Sequence, residues 1–293
     1  MPDDNAFAAP PRDILERALR AAHYCADEAA RHALPLFRKP LQAEVKQDGS
    51  PVTVADKAAE EAMRAHLAQA FPNHAVLGEE SGLAQGAHGA PTTPATMAEW
   101  LWVLDPIDGT RAFLTGRPSF CTLVALLHHG RPVLGLVDQP VTGERWHAVL
   151  GGPTHYASSK GFPGTVGTRQ GRALGQAELS CTAPEIIAPA NQAAFKALQN
   201  QAARMSWGGD AYAYGLLALG QLDLIAEDTM KPWDWAALAP VVEGAGGVMS
   251  DWQGRPLTFT PQKGDQSGGT VLAAANPTLH KQAVEALGAH PMR

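Results

Sequence analysis

Two carboxylates three residues apart, Asp105 and Asp108, bracket Pro106-Ile107 and are followed at once by Gly109-Thr110. The apolar run Trp100 to Leu104 before them reads as a buried strand, so both acids can point into one small space at its end. Two like charges in a partly dry site repel, and the conflict is relieved by taking up a proton or by binding a cation. No histidine or cysteine pair accompanies them, and an all-oxygen donor set favours a hard ion such as Mg²⁺ over Zn²⁺. A helix opening at Thr110 to Phe113 would turn its free N–H groups toward an anion held by that ion. The same residues also suit an Asx-type turn capping a helix, because Asp, Pro and Gly all favour turns. This segment alone leaves both readings open.

The elements around it are legible as patterns. Asp13 to Leu34 and Ala55 to Ala70 are Ala-rich, free of Gly and Pro, and spaced as amphipathic helices; Pro35 limits the first, and Asp56 falls in the first turn of the second. Between them lies the polar stretch Val45 to Val54, with Gly49 and Pro51. A short strand, Ala75 to Leu77, delivers Gly78-Glu79-Glu80, and Gly82 to Thr96 reads as a long exposed loop. Strands over Thr122 to Leu127, Pro132 to Val137 and Arg145 to Leu150, with His129-Gly130 as a hairpin turn, predict an antiparallel sheet. Strands near 177–182, 222–226, 247–250 and 269–275 then alternate with helices near 190–204, 211–219, 233–243 and 277–287, which predicts α/β layering. The Gly- and Thr-rich segment 161–175 is the expected boundary between an N-terminal α+β part, residues 1–175, and a C-terminal α/β part, residues 176–293.

At 293 residues the chain is long enough for two packed parts. Its 45% hydrophobic and 18% charged residues exclude a wholly disordered chain. A net charge of -6 offers no broad attraction to nucleic acid or to anionic membranes, so neither is an expected partner. Asp3 and Asp4 precede any apolar run, no stretch suits a signal peptide or membrane span, and a cytoplasmic location is expected. Cys25, Cys121 and Cys181 are odd in number and widely spaced, which points to buried free thiols. His128-His129 reads as part of a solvated hairpin, and of the seven tryptophans only Trp207 and Trp233 are near enough in sequence to line a pocket.

Four ordered blocks resemble the inositol monophosphatase superfamily: Ser50-Pro51-Val52-Thr53-Val54-Ala55-Asp56; Gly78-Glu79-Glu80; Trp102 through Asp105-Pro106-Ile107-Asp108-Gly109-Thr110; and Trp233-Asp234 leading to Gly244-Ala245-Gly246-Gly247. The resemblance spans about Asp13 to Leu287. It implies the layered αβαβα sandwich of sugar phosphatases, a homodimer, and two or three Mg²⁺ held by Glu79, Asp105, the carbonyl of Ile107, Asp108 and Asp234. It further implies that Asp56 and Thr110, with Glu79, serve the attacking water, and that Gly109, Thr110 and Asp234 meet the substrate, a small phosphate monoester. Glu80 and Lys46 would support the site from behind.

Within the superfamily, Trp207-Gly208-Gly209-Asp210-Ala211-Tyr212-Ala213-Tyr214-Gly215, Glu227 and Lys231-Pro232-Trp233-Asp234 resemble the histidinol-phosphate phosphatase branch, as do Gly116 to Leu123 and Glu243 to Trp252. Ala211 departs from it, standing where a cysteine is expected. By this resemblance Asp210 and Glu227 bind the substrate, and a pair of acids suits a leaving alcohol that carries an ammonium group. The alternatives are an inositol or broad-range sugar-alcohol phosphatase, in which those acids accept bonds from hydroxyls, and a catalytically silent metal-binding scaffold.

Overall fold

The computed structural model describes residues 10–46, 51–84, 98–260 and 269–289. Ser50, Gly49, the two N-terminal aspartates and most of the loop expected over Gly82 to Thr96 lie outside them.

Helix α1 (Arg12–Ala33) buries a stripe of small residues, Ala18, Ala22, Cys25, Ala26 and Ala29, and stops just short of Pro35. The polar stretch that follows holds a small antiparallel ribbon, β1 (Glu44–Val45) with β2 (Pro51–Val52), which the sequence pattern does not reveal. Helix α2 (Val54–Ala70) packs beside α1. Next come β3 (Ala75–Gly78), β4 (Gly82–Ala84), β5 (Trp100–Asp108), the short helix α3 (Thr110–Leu114), β6 (Cys121–His128), β7 (Arg131–Gln139), β8 (Glu144–Val149) and β9 (His155–Ser158). They form a seven-stranded sheet in the order β4-β3-β5-β6-β7-β8-β9. Residues 82–84 are therefore an edge strand paired to β3, not the start of a loop.

The remaining elements are β10 (Glu178–Cys181), α4 (Gln192–Gln201), β11 (Arg204–Trp207), α5 (Asp210–Ala218), β12 (Leu224–Met230), α6 (Pro232–Trp235), α7 (Leu238–Gly244), β13 (Val248–Ser250), β14 (Gly269–Ala274) and α8 (Pro277–Gly288). Their five strands make a second sheet, β11-β10-β12-β14-β13. Two expectations are corrected here. The helix expected over 190–204 ends at Gln201, and Arg204 instead begins a strand parallel to β10. The helix expected over 233–243 is broken at Ala236-Ala237, because in a continuous helix the Pro240 ring would meet the carbonyl of Ala236; the break puts Pro240 in the first turn of α7, where proline is tolerated.

Three hydrophobic clusters define five layers. One joins α1 and α2 to one face of the large sheet, the second packs α5 and α7 between the two sheets, and the third packs α4 and α8 on the outer face of the small sheet. Strand β6 shows why its sequence is a continuous apolar run: Val124 and Leu126 face α1 and α2, while Leu123, Ala125 and Leu127 face the middle layer. Contact is close where Gly135 of β7 meets the residue preceding α7, since a Cβ at that position would lie 2.1 Å from the carbonyl oxygen of Ala237. The three cysteines are buried free thiols. Among the described residues no helix is long and apolar enough to cross a membrane.

Candidate active site

Strand β5 does not end before its acids. It continues to Asp108, but its pairing with β6 shifts between Asp105, opposite Leu123, and Asp108, opposite Cys121. Residues three apart on a regular strand face opposite sides, and the extra residue of a bulge reverses that parity, so Asp105 and Asp108 come to one side. Pro106 suits the bulge because it has no N–H to pair, and its carbonyl accepts a 2.8 Å hydrogen bond from the Thr122 hydroxyl. The N–H of Ile107 donates to Asp105 at 3.0 Å. Gly109, at φ +79°, then turns the chain into α3.

Asp234 arrives from the other sheet's side. Pro232 starts α6, and the backbone N–H of Lys231 donates to the Asp234 carboxylate at 2.7 Å, fixing its direction. One oxygen each of Asp105, Asp108 and Asp234 lies within 4.8 Å of the others. Glu79, just beyond β3, is tied to β5 by its N–H bond to the Leu104 carbonyl, and its carboxyl reaches that of Asp105.

Asp56 sits in the first turn of α2, held by a capping box in which Thr53 donates both its N–H and its hydroxyl to Oδ2. Oδ1 is left for the Thr110 hydroxyl, 3.4 Å away, which also lies 3.2 Å from the Ile107 carbonyl. Lys46 places its ammonium 2.7 Å from both Glu79 and Glu80.

On the far wall, Gly208 and Gly209, at φ +93° and +114°, lead into Asp210, itself at φ +46°. Asp210 lies so close to Gly109 that a Cβ there would be 2.9 Å from the Asp210 carboxyl carbon. The N–H of Ala211 donates to Asp108 at 2.7 Å, so the turn carrying Asp210 is fastened to the acid cluster. Glu227 on β12 accepts from the N–H and hydroxyl of Thr182 and from the buried Tyr214 hydroxyl. These walls enclose a cleft of about 250 Å³ lined by Glu79, Asp108, Gly109, Thr110, Asp210, Glu227 and Asp234. Asp56 and Asp105 lie buried beneath it. Trp207 and Trp233 are not in its lining; Trp207 is 44% exposed, and Trp233 packs against the middle core.

Electrostatically the cluster is in conflict with itself. Burial, then the charges of Glu79 and Asp108, hold Asp105 well above the carboxylate range; burial, then Asp210 and Asp234, do the same to Asp108. Burial, then Glu79, pushes Asp234 up to about 8. Burial raises Glu79 although Lys46 opposes it. Lys46 loses solvation, but Glu79 and Glu80 more than compensate and raise its pKa. Four converging carboxyls would repel a phosphate outright, and they fit a hard cation by donor type, number and burial. The residues thus suit a divalent metal of the oxygen-seeking kind.

Glu60 was not singled out from sequence, yet it shapes the cluster. Fully buried on α2, it accepts hydrogen bonds from the N–H groups of Glu80 (2.8 Å) and Ser81 (3.0 Å) and pairs with Arg64 at 2.8 Å. Gly78 must be glycine for this, because a Cβ would meet the Glu60 carboxylate at 2.5 Å. Glu60 and Arg64, four apart on a helix, are indistinguishable in sequence from an ordinary surface pair. The Thr53-x-x-Asp56 spacing, by contrast, is a readable capping signal. Glu60→Ala is expected to cost about 3 kcal/mol by leaving the Glu80 and Ser81 N–H groups without their acceptor and Arg64 without its counter-charge, and to raise the metal concentration needed for activity. Urea denaturation and a metal titration of activity check this; Glu60→Gln, which keeps an acceptor, should lose less of both.

Comparison with known proteins agrees with this geometry. The inositol monophosphatase family model matches residues 14–291. The chain is 38% identical over 277 residues to the Arabidopsis thaliana protein described as bifunctional phosphatase IMPL2, chloroplastic, covering 94% of this chain and 76% of that one. It is 35% identical over 274 residues to a histidinol-phosphatase of Streptomyces coelicolor, covering 90% and 94%. Among solved structures, an inositol monophosphatase from Zymomonas mobilis superposes with a TM-score of 0.79 at 43% identity, over 94% of this chain and 99% of that one. With the family match spanning both sheets and the acid cluster they jointly build, this chain belongs to the inositol monophosphatase family of phosphatases.

Proposed function

We propose that the protein hydrolyses L-histidinol phosphate, a phosphate monoester whose leaving alcohol is cationic, with two or three Mg²⁺ bound by Glu79, Asp105, the Ile107 carbonyl, Asp108 and Asp234. The observation that carries this is Asp210. It borders the cleft beside Gly109, burial and then Glu227 push its pKa up to about 6, and among the described residues no donor hydrogen-bonds its carboxylate. This half-buried carboxylate on the cleft wall is open to a charged donor, and an ammonium group of the substrate supplies one. Glu227 is different: both of its oxygens are already engaged, so it contributes negative potential and holds the wall in place.

Mg²⁺ in the cluster would neutralise the acids, polarise the phosphate oxygens and lower the pKa of a water. The chain's own residues do the rest. Thr53 locks one oxygen of Asp56, so the other faces Thr110, and this pair orients a water and accepts its proton. The N–H groups of Gly109 and Thr110, at the start of α3 on the cleft wall, would meet the phosphate, and Asp234, which lines the same cleft, would contact the substrate. The second reading, inositol phosphate as substrate, is favoured by the 43% identity to the Zymomonas protein. Phosphate release from L-histidinol phosphate and inositol 1-phosphate, side by side with Mg²⁺ and with EDTA, separates the two. The expected result is metal-dependent turnover with at least about a tenfold preference for histidinol phosphate. Comparable rates or a preference for inositol would move the assignment to the broad-range alternative.

A further inference from the structure

Of the His128-His129 pair, read from sequence as part of a solvated hairpin, His129 is exposed at the turn but His128 is not solvated. His128 ends β6 opposite Trp100 and is buried, while His129, at φ +49°, and Gly130, at φ +77°, form the turn into β7. The N–H of His129 bonds to the carbonyl of Glu99 at 2.9 Å, which draws the residue preceding β5 onto the turn. The result is a convergence of donors: one ligand atom each of Glu99, His128 and His129 lies within 4.8 Å of the others.

We propose that Glu99, His128 and His129 form a second metal site that takes a borderline transition ion such as Zn²⁺, separate from the acid cluster. Two imidazoles and one carboxylate are a set that such ions prefer and that Mg²⁺ does not. The geometry is close to what binding needs. In a tetrahedral site with bonds near 2.1 Å, ligand atoms sit about 3.4 Å apart; Nε2 of His128 is 3.6 Å from Oε1 of Glu99, and the two imidazole centroids are 4.3 Å apart. The His128 ring is held in place, stacked at 4.2 Å on Trp100, whose ring stacks in turn at 5.4 Å on His74. His129 and Glu99 are exposed, which leaves room for water to complete the coordination and gives the ion a direct entry.

The two sites cannot share an ion. Cys121, opposite Asp108, begins β6 and His128 ends it, so at strand rise they are about 23 Å apart. A bound ion would clamp the chain before β5 to the β6–β7 turn, stabilising the folded protein by mass action without touching the chemistry.

The test is Zn²⁺ binding by equilibrium dialysis and thermal unfolding, with millimolar Mg²⁺ present throughout. The wild type and Asp108→Asn should each bind one Zn²⁺ and unfold at a higher temperature with it. His129→Asn, which keeps a residue tolerant of the left-handed turn, and Glu99→Gln should each weaken Zn²⁺ binding by at least about tenfold and lose the thermal shift. His128→Ala should do the same, but it also removes the Trp100 stack, so His129→Asn decides. Zn²⁺ binding that survives His129→Asn and Glu99→Gln, that vanishes in Asp108→Asn, or that is absent from the wild type would overturn the proposal.

Discussion

Asp108→Asn is expected to lower kcat/KM about a thousandfold while leaving the fold in place. The substitution keeps volume and an oxygen able to accept the Ala211 N–H, but removes the charge on which the proposed metal binding depends. Metal ions stabilise charge in phosphoryl transition states by several kcal/mol, and about 4 kcal/mol corresponds to that factor in rate. The same variant makes a pH prediction. Acids whose folded pKa is raised add stability below their unfolded pKa, and that contribution is lost as pH rises toward the folded value. Asp105 and Asp108 are raised and Asp234 lies near 8, so in EDTA the wild type should melt at progressively lower temperature from about pH 4 to pH 8. Asp108→Asn should flatten that slope, and saturating Mg²⁺ should flatten it in the wild type. Near-normal turnover of the variant would remove Asp108 from the metal site.

Asp210→Asn should cut kcat/KM for L-histidinol phosphate by about tenfold to a hundredfold while changing that for inositol 1-phosphate less than about threefold. The lost quantity is one charge-assisted hydrogen bond, worth about 1.5 to 3 kcal/mol. Asparagine is the informative replacement. Asp210 occupies the left-handed region, which asparagine shares, so the wall beside Gly109 stays in place; alanine would strain the turn and confuse geometry with charge. Equal losses on both substrates would show that Asp210 holds the cleft's shape instead of choosing its occupant.

What the sequence revealed, and what it hid, divides along a physical line. Asp105 to Thr110 stood out as a metal-or-turn segment at the end of an apolar run, and the other three blocks of the family resemblance chose between the two readings. Asp56 and Glu79 were placed only through the family resemblance, since neither acid is distinctive alone. Strand β11 was missed because the Ala-rich run before it continues a helical pattern up to Arg204, and only pairing with β10 ends it. The bulge that brings Asp105 and Asp108 together was invisible, being a property of two strands and not of one. Glu60 was hidden for a similar reason: its partners, the Glu80 and Ser81 amides, lie in another element. Long-range pairing, not local preference, made these features.

The acid cluster draws Asp105 and Asp108 from the seven-stranded sheet and Asp234 from the helix that follows β12. During synthesis, therefore, the first acids leave the ribosome long before the residue that completes their cluster. A nascent chain interrupted anywhere before Asp234 would carry the repulsion of Asp105 and Asp108 without the third carboxylate of the cluster. If Asp234 holds metal as proposed, activity of the purified protein would count only molecules translated past that point, a check on completeness that abundance alone does not give.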